Sequence, residues 1–109
     1  MAAEPLLGVY TSMPDELPAA LHGRDVVIAG GNIDAALRLA DCCSSVTLIT
    51  PRTARLSVAN HAKITILYGS EIVCIDGLEQ VESVVVRKIR TRTISARSAA
   101  GVFLLHDHG

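Results

Sequence analysis

Residues 23–52 read GRDVVIAGGNIDAALRLADCCSSVTLITPR, and this stretch decides the fold. Asp25–Ala29 is a short apolar strand, and Gly30-Gly31 is a tight turn. Ile33, Ala36, Leu37, Ala40 and Cys43 or Ser44 recur at helical spacing, which predicts an amphipathic helix over Asn32–Cys43. Val46–Thr50 is a second apolar strand. Strand, glycine turn, helix, strand is the opening unit of a dinucleotide-binding domain. Glycines let the backbone approach a pyrophosphate closely, and a helix N-terminus offers it unpaired N–H groups and partial positive charge. The G-x-G-x-x-G/A fingerprint is altered here: Ala29 replaces the first glycine, and Asp34 stands where a third Gly or Ala is required. Asn32 suits the helix cap. Asp34 in the first turn favours an empty helix dipole and disfavours an anion beside it.

The rest of the chain extends the same pattern. Met1–His22 carries Pro5, Pro14 and Pro18 and is expected as a lead-in segment, with a helical turn after Pro14 and Ser12 as its cap. A domain over 23–109 follows. Past Val46–Thr50, a polar crossover leads to a strand at Ile64–Tyr68. Glu71–Ile75, Val81–Ile89 and Arg90–Ala96 form an antiparallel meander with one wet face, turning at Asp76-Gly77. Gly101–Leu105 is a last apolar strand of central, parallel character. The expected fold is α/β and Rossmann-like: a parallel sheet of about four strands, a helix on one face, and a three-stranded antiparallel meander on the other.

Composition narrows the functional classes. The chain has 109 residues, half of them hydrophobic, and a formal net charge of −1. Tyr10, Tyr68 and Phe103 are its only aromatics, so the core is built from Val, Ile, Leu and Ala. The balanced charge gives no support to nucleic acid or an anionic membrane as partner. No run approaches the roughly 18 apolar residues of a membrane span. The first residues lack the basic start and apolar run of a signal peptide, so a cytoplasmic location is the default expectation. Cys42, Cys43 and Cys74 show no C-x-x-C spacing and read as small buried or half-buried helix residues. His106, Asp107 and His108 lack the spacing of a metal site, and no metal or catalytic constellation is expected.

These residues resemble the pyridine-nucleotide domain of the two-dinucleotide-binding flavoproteins, in the thioredoxin reductase-like family of pyridine nucleotide-disulfide oxidoreductases. The resemblance runs through Gly23-Arg24-Asp25-Val26-Val27, Gly30-Gly31-Asn32, Asp34-Ala35-Ala36-Leu37 and Val46–Arg52. It continues through Lys63–Leu67, Ser70–Val73, Val81–Val86 and Ala100–Phe103. It implies an NAD(P)H-binding domain that positions the nicotinamide for hydride transfer to a flavin held by another domain or chain. Flavin adenine dinucleotide would belong to that absent domain, and a homodimer is a further expectation. The implied cofactor-binding residues are Ala29, Gly30, Gly31, Asn32, Ile33, Arg52 and Arg55. Arg52 and Arg55 stand where arginines hold the 2′-phosphate of NADP, and Thr50 occupies the place of an NAD-binding acid, so NADPH is preferred to NADH. The chain also departs from the family. A pair of residues is missing near the helix start, and several are missing between Arg55 and Lys63. Tyr10–His22 lacks the Cys-x-x-Cys dithiol. The domain alone is therefore not expected to catalyse a reaction. The alternative is a structural or protein-interaction domain that keeps the scaffold and no longer binds a dinucleotide.

Overall fold

The computed structural model describes residues 7–30, 33–53 and 61–105. Among the described residues, eight strands and one α-helix follow in order: β1 (Val9–Tyr10), β2 (Asp25–Ala29), α1 (Ile33–Cys42), β3 (Ser45–Ile49), β4 (Ile64–Leu67), β5 (Ser70–Asp76), β6 (Ser83–Lys88), β7 (Ile94–Ser98) and β8 (Gly101–Leu104). The first sheet is wholly parallel, in the order β1-β8-β2-β3-β4. The second is antiparallel, β5-β6-β7. This is the Rossmann-like arrangement expected from the sequence, with five parallel strands instead of about four. The extra strand comes from the lead-in segment, where Val9 pairs with Val102 and Tyr10 with Phe103.

The apolar runs are explained by burial on both faces. Side chains alternate across a strand, so Val26, Ile28, Val46, Leu48 and Phe103 point to α1, where they meet Ala35, Ala36, Leu39, Ala40 and Cys43. Val27, Ile49 and Val102 point the other way and pack against Val84 and Val86 of the meander. The meander needs one apolar face only, and β6 accordingly alternates, with Val84 and Val86 buried and Val85 half-exposed. The helix side is completed by the lead-in. Leu21 is 2% exposed, Tyr10, Met13 and Leu17 pack around it, and the Tyr10 ring stacks on Phe103 with centroids 4.8 Å apart. The single helical turn of this segment lies at Ala19–Leu21, later than expected. Pro18 precedes it, and no side chain, Ser12 included, caps it.

Among the described residues no helix is long and apolar enough to cross a membrane.

Candidate functional site

Parallel sheets present their ligand-binding crevice beyond the carboxyl ends of their strands. A cleft of about 350 Å³ lies there, lined by Ala29, Gly30, Ile49, Pro51 and Leu104 from the sheet and by Ser70–Val73 and Ile75 from the meander. The sheet side holds several of the residues singled out above. Ala29 and Gly30 are half-buried, and Arg52, next to the lining Pro51, is exposed. Ile33 opens α1 but turns its side chain into the core, so only its backbone faces the turn. Gly31, Asn32 and Arg55 lie outside the described residues.

Gly30 has a packing reason to be glycine. Its φ is +124°, and a Cβ there would lie 2.8 Å from the Leu105 carbonyl oxygen. The turn is clamped between neighbours: Gly30 N–H donates to the Ile49 carbonyl at 2.8 Å, and Leu105 N–H donates to Ala29 at 3.2 Å. Asp34 lies exposed in the first turn of α1. Its carboxylate occupies the positive end of the helix dipole, where a phosphate would otherwise gain most.

The segment after β3 is held with unusual care. Thr50 is fully buried, and its Oγ1 accepts the Arg52 N–H at 3.2 Å, closing a tight turn. Thr50 N–H donates to the Leu67 carbonyl, Ser70 N–H to that of Thr50, and Gly69 N–H to that of Arg52. Ser70 Oγ donates to the Tyr68 carbonyl at 2.9 Å. Thr50 therefore shapes the loop and cannot offer its hydroxyl to a ligand, while Arg52 is carried outward. Across the cleft, Glu71 is ion-paired with Arg87, whose Nε lies 3.1 Å from Oε1.

Several lining residues escaped the sequence reading: Pro51, Ser70, Val73 and Leu104. They belong to the cleft only because the chain turns between β4 and β5, and Gly69 is the one local signal for that reversal.

No cysteine lines the cleft. Only Cys43 is buried as expected: Cys42, one position along α1, faces out, and Cys74 is exposed on β5. Burial pushes the Cys43 thiol up to about 11, with Cys42 and Asp25 adding to the shift and Lys63 opposing it. The exposed Cys74 thiol is raised by its hydrogen bond to Asp76 Oδ1 at 3.1 Å. Both are held as neutral thiols at neutral pH. Among the described residues no group of three or more His, Cys, Asp and Glu is placed to hold a metal ion.

No protein-family model matches the sequence. The chain is similar to thioredoxin reductase of Chlamydia pneumoniae, with 40% identity over 91 residues that cover 75% of this chain and 29% of that protein. Its fold is similar to thioredoxin reductase from Giardia duodenalis, with a TM-score of 0.76 and 24% identity over 92% of this chain and 35% of that one. It is equally similar in fold to a thioredoxin reductase from Gloeobacter violaceus, with a TM-score of 0.74 and 23% identity over the whole of this chain and 38% of that one. The chain thus spans about three tenths of the length of the curated relatives it matches. Sequence likeness and fold agree, and the chain is a thioredoxin reductase-like domain.

Proposed function

We propose that the chain is the NAD(P)H-binding domain of a thioredoxin reductase-like, flavin-dependent oxidoreductase. It would hold the dinucleotide against the carboxyl ends of β2 and β3, with NADPH preferred. A flavin-binding domain or subunit would be its partner. The observation that carries this reading is that Gly30 and Pro51, the neighbour of Arg52, line one cleft at the crevice of the parallel sheet. The residues fit the group at two points. The glycine turn brings backbone close to the cleft without a side chain in the way, and Arg52 stands exposed beyond β3, where the 2′-phosphate of NADP falls in this fold class. They oppose it at one point, the Asp34 carboxylate. When bound, the nicotinamide supplies a hydride and the flavin accepts it, and the role of these residues is to bind and orient.

Titration of isotope-labelled protein with NADPH tests the reading. Amide signals of Gly30, Ile33 and Arg52 should shift at millimolar ligand or below. Unmoved signals at that concentration would sink it.

Asp34 favours a second reading, in which the scaffold is kept as a structural or protein-interaction domain. The Leu105 carbonyl accounts for Gly30 without any ligand, and the carboxylate repels a pyrophosphate. On this reading neither the natural chain nor Asp34→Ala binds a dinucleotide.

A further inference from the structure

Strand β7 stands at the edge of the antiparallel sheet, and all its residues but Arg97 are exposed, Ile94 by 62%. The ladder with β6 fixes which backbone groups look outward. Lys88 N–H donates to the Thr93 carbonyl at 2.8 Å, and Ala99 N–H donates to the Glu82 carbonyl at 3.1 Å. Alternate residues of an antiparallel strand turn N–H and C=O to the same neighbour. Ser95 and Arg97, in step with Thr93 and Ala99, are therefore bonded to β6. Ile94, Ala96 and Ser98 turn theirs to the free side, where no described residue meets them.

Edge strands that stay single are blunted by a bulge, a proline or a lysine. The other edge of this sheet, β5, has such a bulge between Ile72 and Cys74. Strand β7 has none of these. Its register with β6 is unbroken over Ile94–Ser98, and it holds neither proline nor lysine.

Charge along the meander suits a second copy of the chain. At one end, residues 88–93 carry exposed Lys88, Arg90 and Arg92 and no acid. At the other, residues 76–82 carry exposed Asp76, Glu79 and Glu82 and no base. A two-fold axis through Ala96 sets two β7 strands antiparallel, and each basic turn then lies on the side of the other copy's acidic turn. In that register Ala96 meets Ala96 and Ile94 meets Ser98. These are the residues with outward backbone groups, so each free N–H reaches a carbonyl. Ile94 is covered by the small Ala96 and Ser98 of the second copy. Arg97 falls opposite Ser95, so like charges are not set face to face.

We propose that β7 is a self-pairing edge through which two copies of this chain join their meanders into one continuous antiparallel sheet. The inference is independent of the dinucleotide reading, because the cleft is lined by β5 and not by β7, and either can fail without the other. A seam of this size is small for an interface, so the pair should be weak, with a dissociation constant on the order of 100 μM.

Sedimentation equilibrium on the chain from about 10 μM to about 1 mM should show a monomer passing to a dimer and no further. Amide exchange over the same range locates the seam. The amides of Ile94, Ala96 and Ser98 should exchange several-fold more slowly as the dimer fills, while those of Ser95 and Arg97, already bonded to β6, should not change. Ala96→Pro removes the N–H at the axis and no hydrogen bond within the monomer, so this variant should stay monomeric. Ile94→Lys spares the backbone and should weaken the dimer about tenfold. Arg90→Glu/Arg92→Glu should also weaken it, and adding Glu79→Lys/Glu82→Lys should restore it. An unchanged thermal midpoint shows that each variant is folded, and if Ala96→Pro unfolds, Ile94→Lys decides. The inference is overturned by a natural chain that stays monomeric, by a dimer that leaves the three outward amides unprotected, or by folded edge variants that dimerise like the natural chain. It is also overturned by charge reversals that fail to compensate one another, or by growth beyond the dimer, since a two-fold seam closes on itself.

Discussion

On one rim of the cleft stands the glycine turn after β2. On the other stand Thr50–Arg52 and the β4–β5 turn that anchors them. The glycine rim is the part that resembles a nucleotide fingerprint, yet packing explains it. Gly30 sits at φ +124° with the Leu105 carbonyl 2.8 Å from where a Cβ would stand. The opposite rim matches no short motif, yet it carries more than packing requires. A buried hydroxyl and several backbone hydrogen bonds fix the loop, and the residue they carry outward is an arginine with no place in the core. The same glycine serves a tight turn or a phosphate equally well.

Gly30→Ala should have the largest effect. A positive φ and a backbone clash together cost about 2–4 kcal/mol of stability, readable as a fall in the urea midpoint. A fall near zero would mean that the Leu105 strand end yields, and that packing does not dictate the glycine. Thr50→Val is next. It keeps the shape and removes the acceptor for the Arg52 N–H, so about 1 kcal/mol should be lost. NADPH affinity should fall while NADH affinity holds, whereas a purely structural Thr50 would leave their ratio untouched. Asp34→Ala is smaller in stability, a loss of about 0.5 kcal/mol from the helix dipole. Its binding effect has the opposite sign. With the carboxylate gone, dinucleotide affinity should rise about threefold, and a fall would show that Asp34 assists the ligand instead. Cys43, far from both rims, serves as the reference for native packing. With its thiol pushed up to about 11 by burial, almost none is thiolate at pH 8, and a maleimide probe should leave Cys43 unlabelled in the folded chain. Rapid labelling would mean that the helix face opens.

Much of the fold is legible in the residues, because burial on two faces, on one, or on none writes different patterns. The mainly apolar β2, β3 and β8 are central strands. The alternating β6 belongs to a sheet with one wet face. Strand β1 was hidden for a physical reason. Two residues show no periodicity, and Val9–Tyr10 is a strand only because β8 lies beside it. The site was half legible. The turn at Ala29–Gly30 and the exposed Arg52 stand out by type and position. The role of Thr50 depends on a hydrogen bond two residues along, which no pattern of residue types reveals.

The place of β8 has a consequence for the order in which the molecule is made. Residues 101–104 form the last of the described strands, yet this strand lies between β1 and β2, with Val102 buried in one core and Phe103 in the other. A nascent chain that has not yet exposed these residues has an open seam in the middle of its sheet. Strand β1 then has no partner, and the edge of β2 is bare, inviting strand addition from another molecule. Contacts of such wide sequence separation form slowly. The chain should therefore gain protease resistance in one late step as residues 101–105 leave the ribosome, and nascent chains halted before Gly101 should remain open to chaperones.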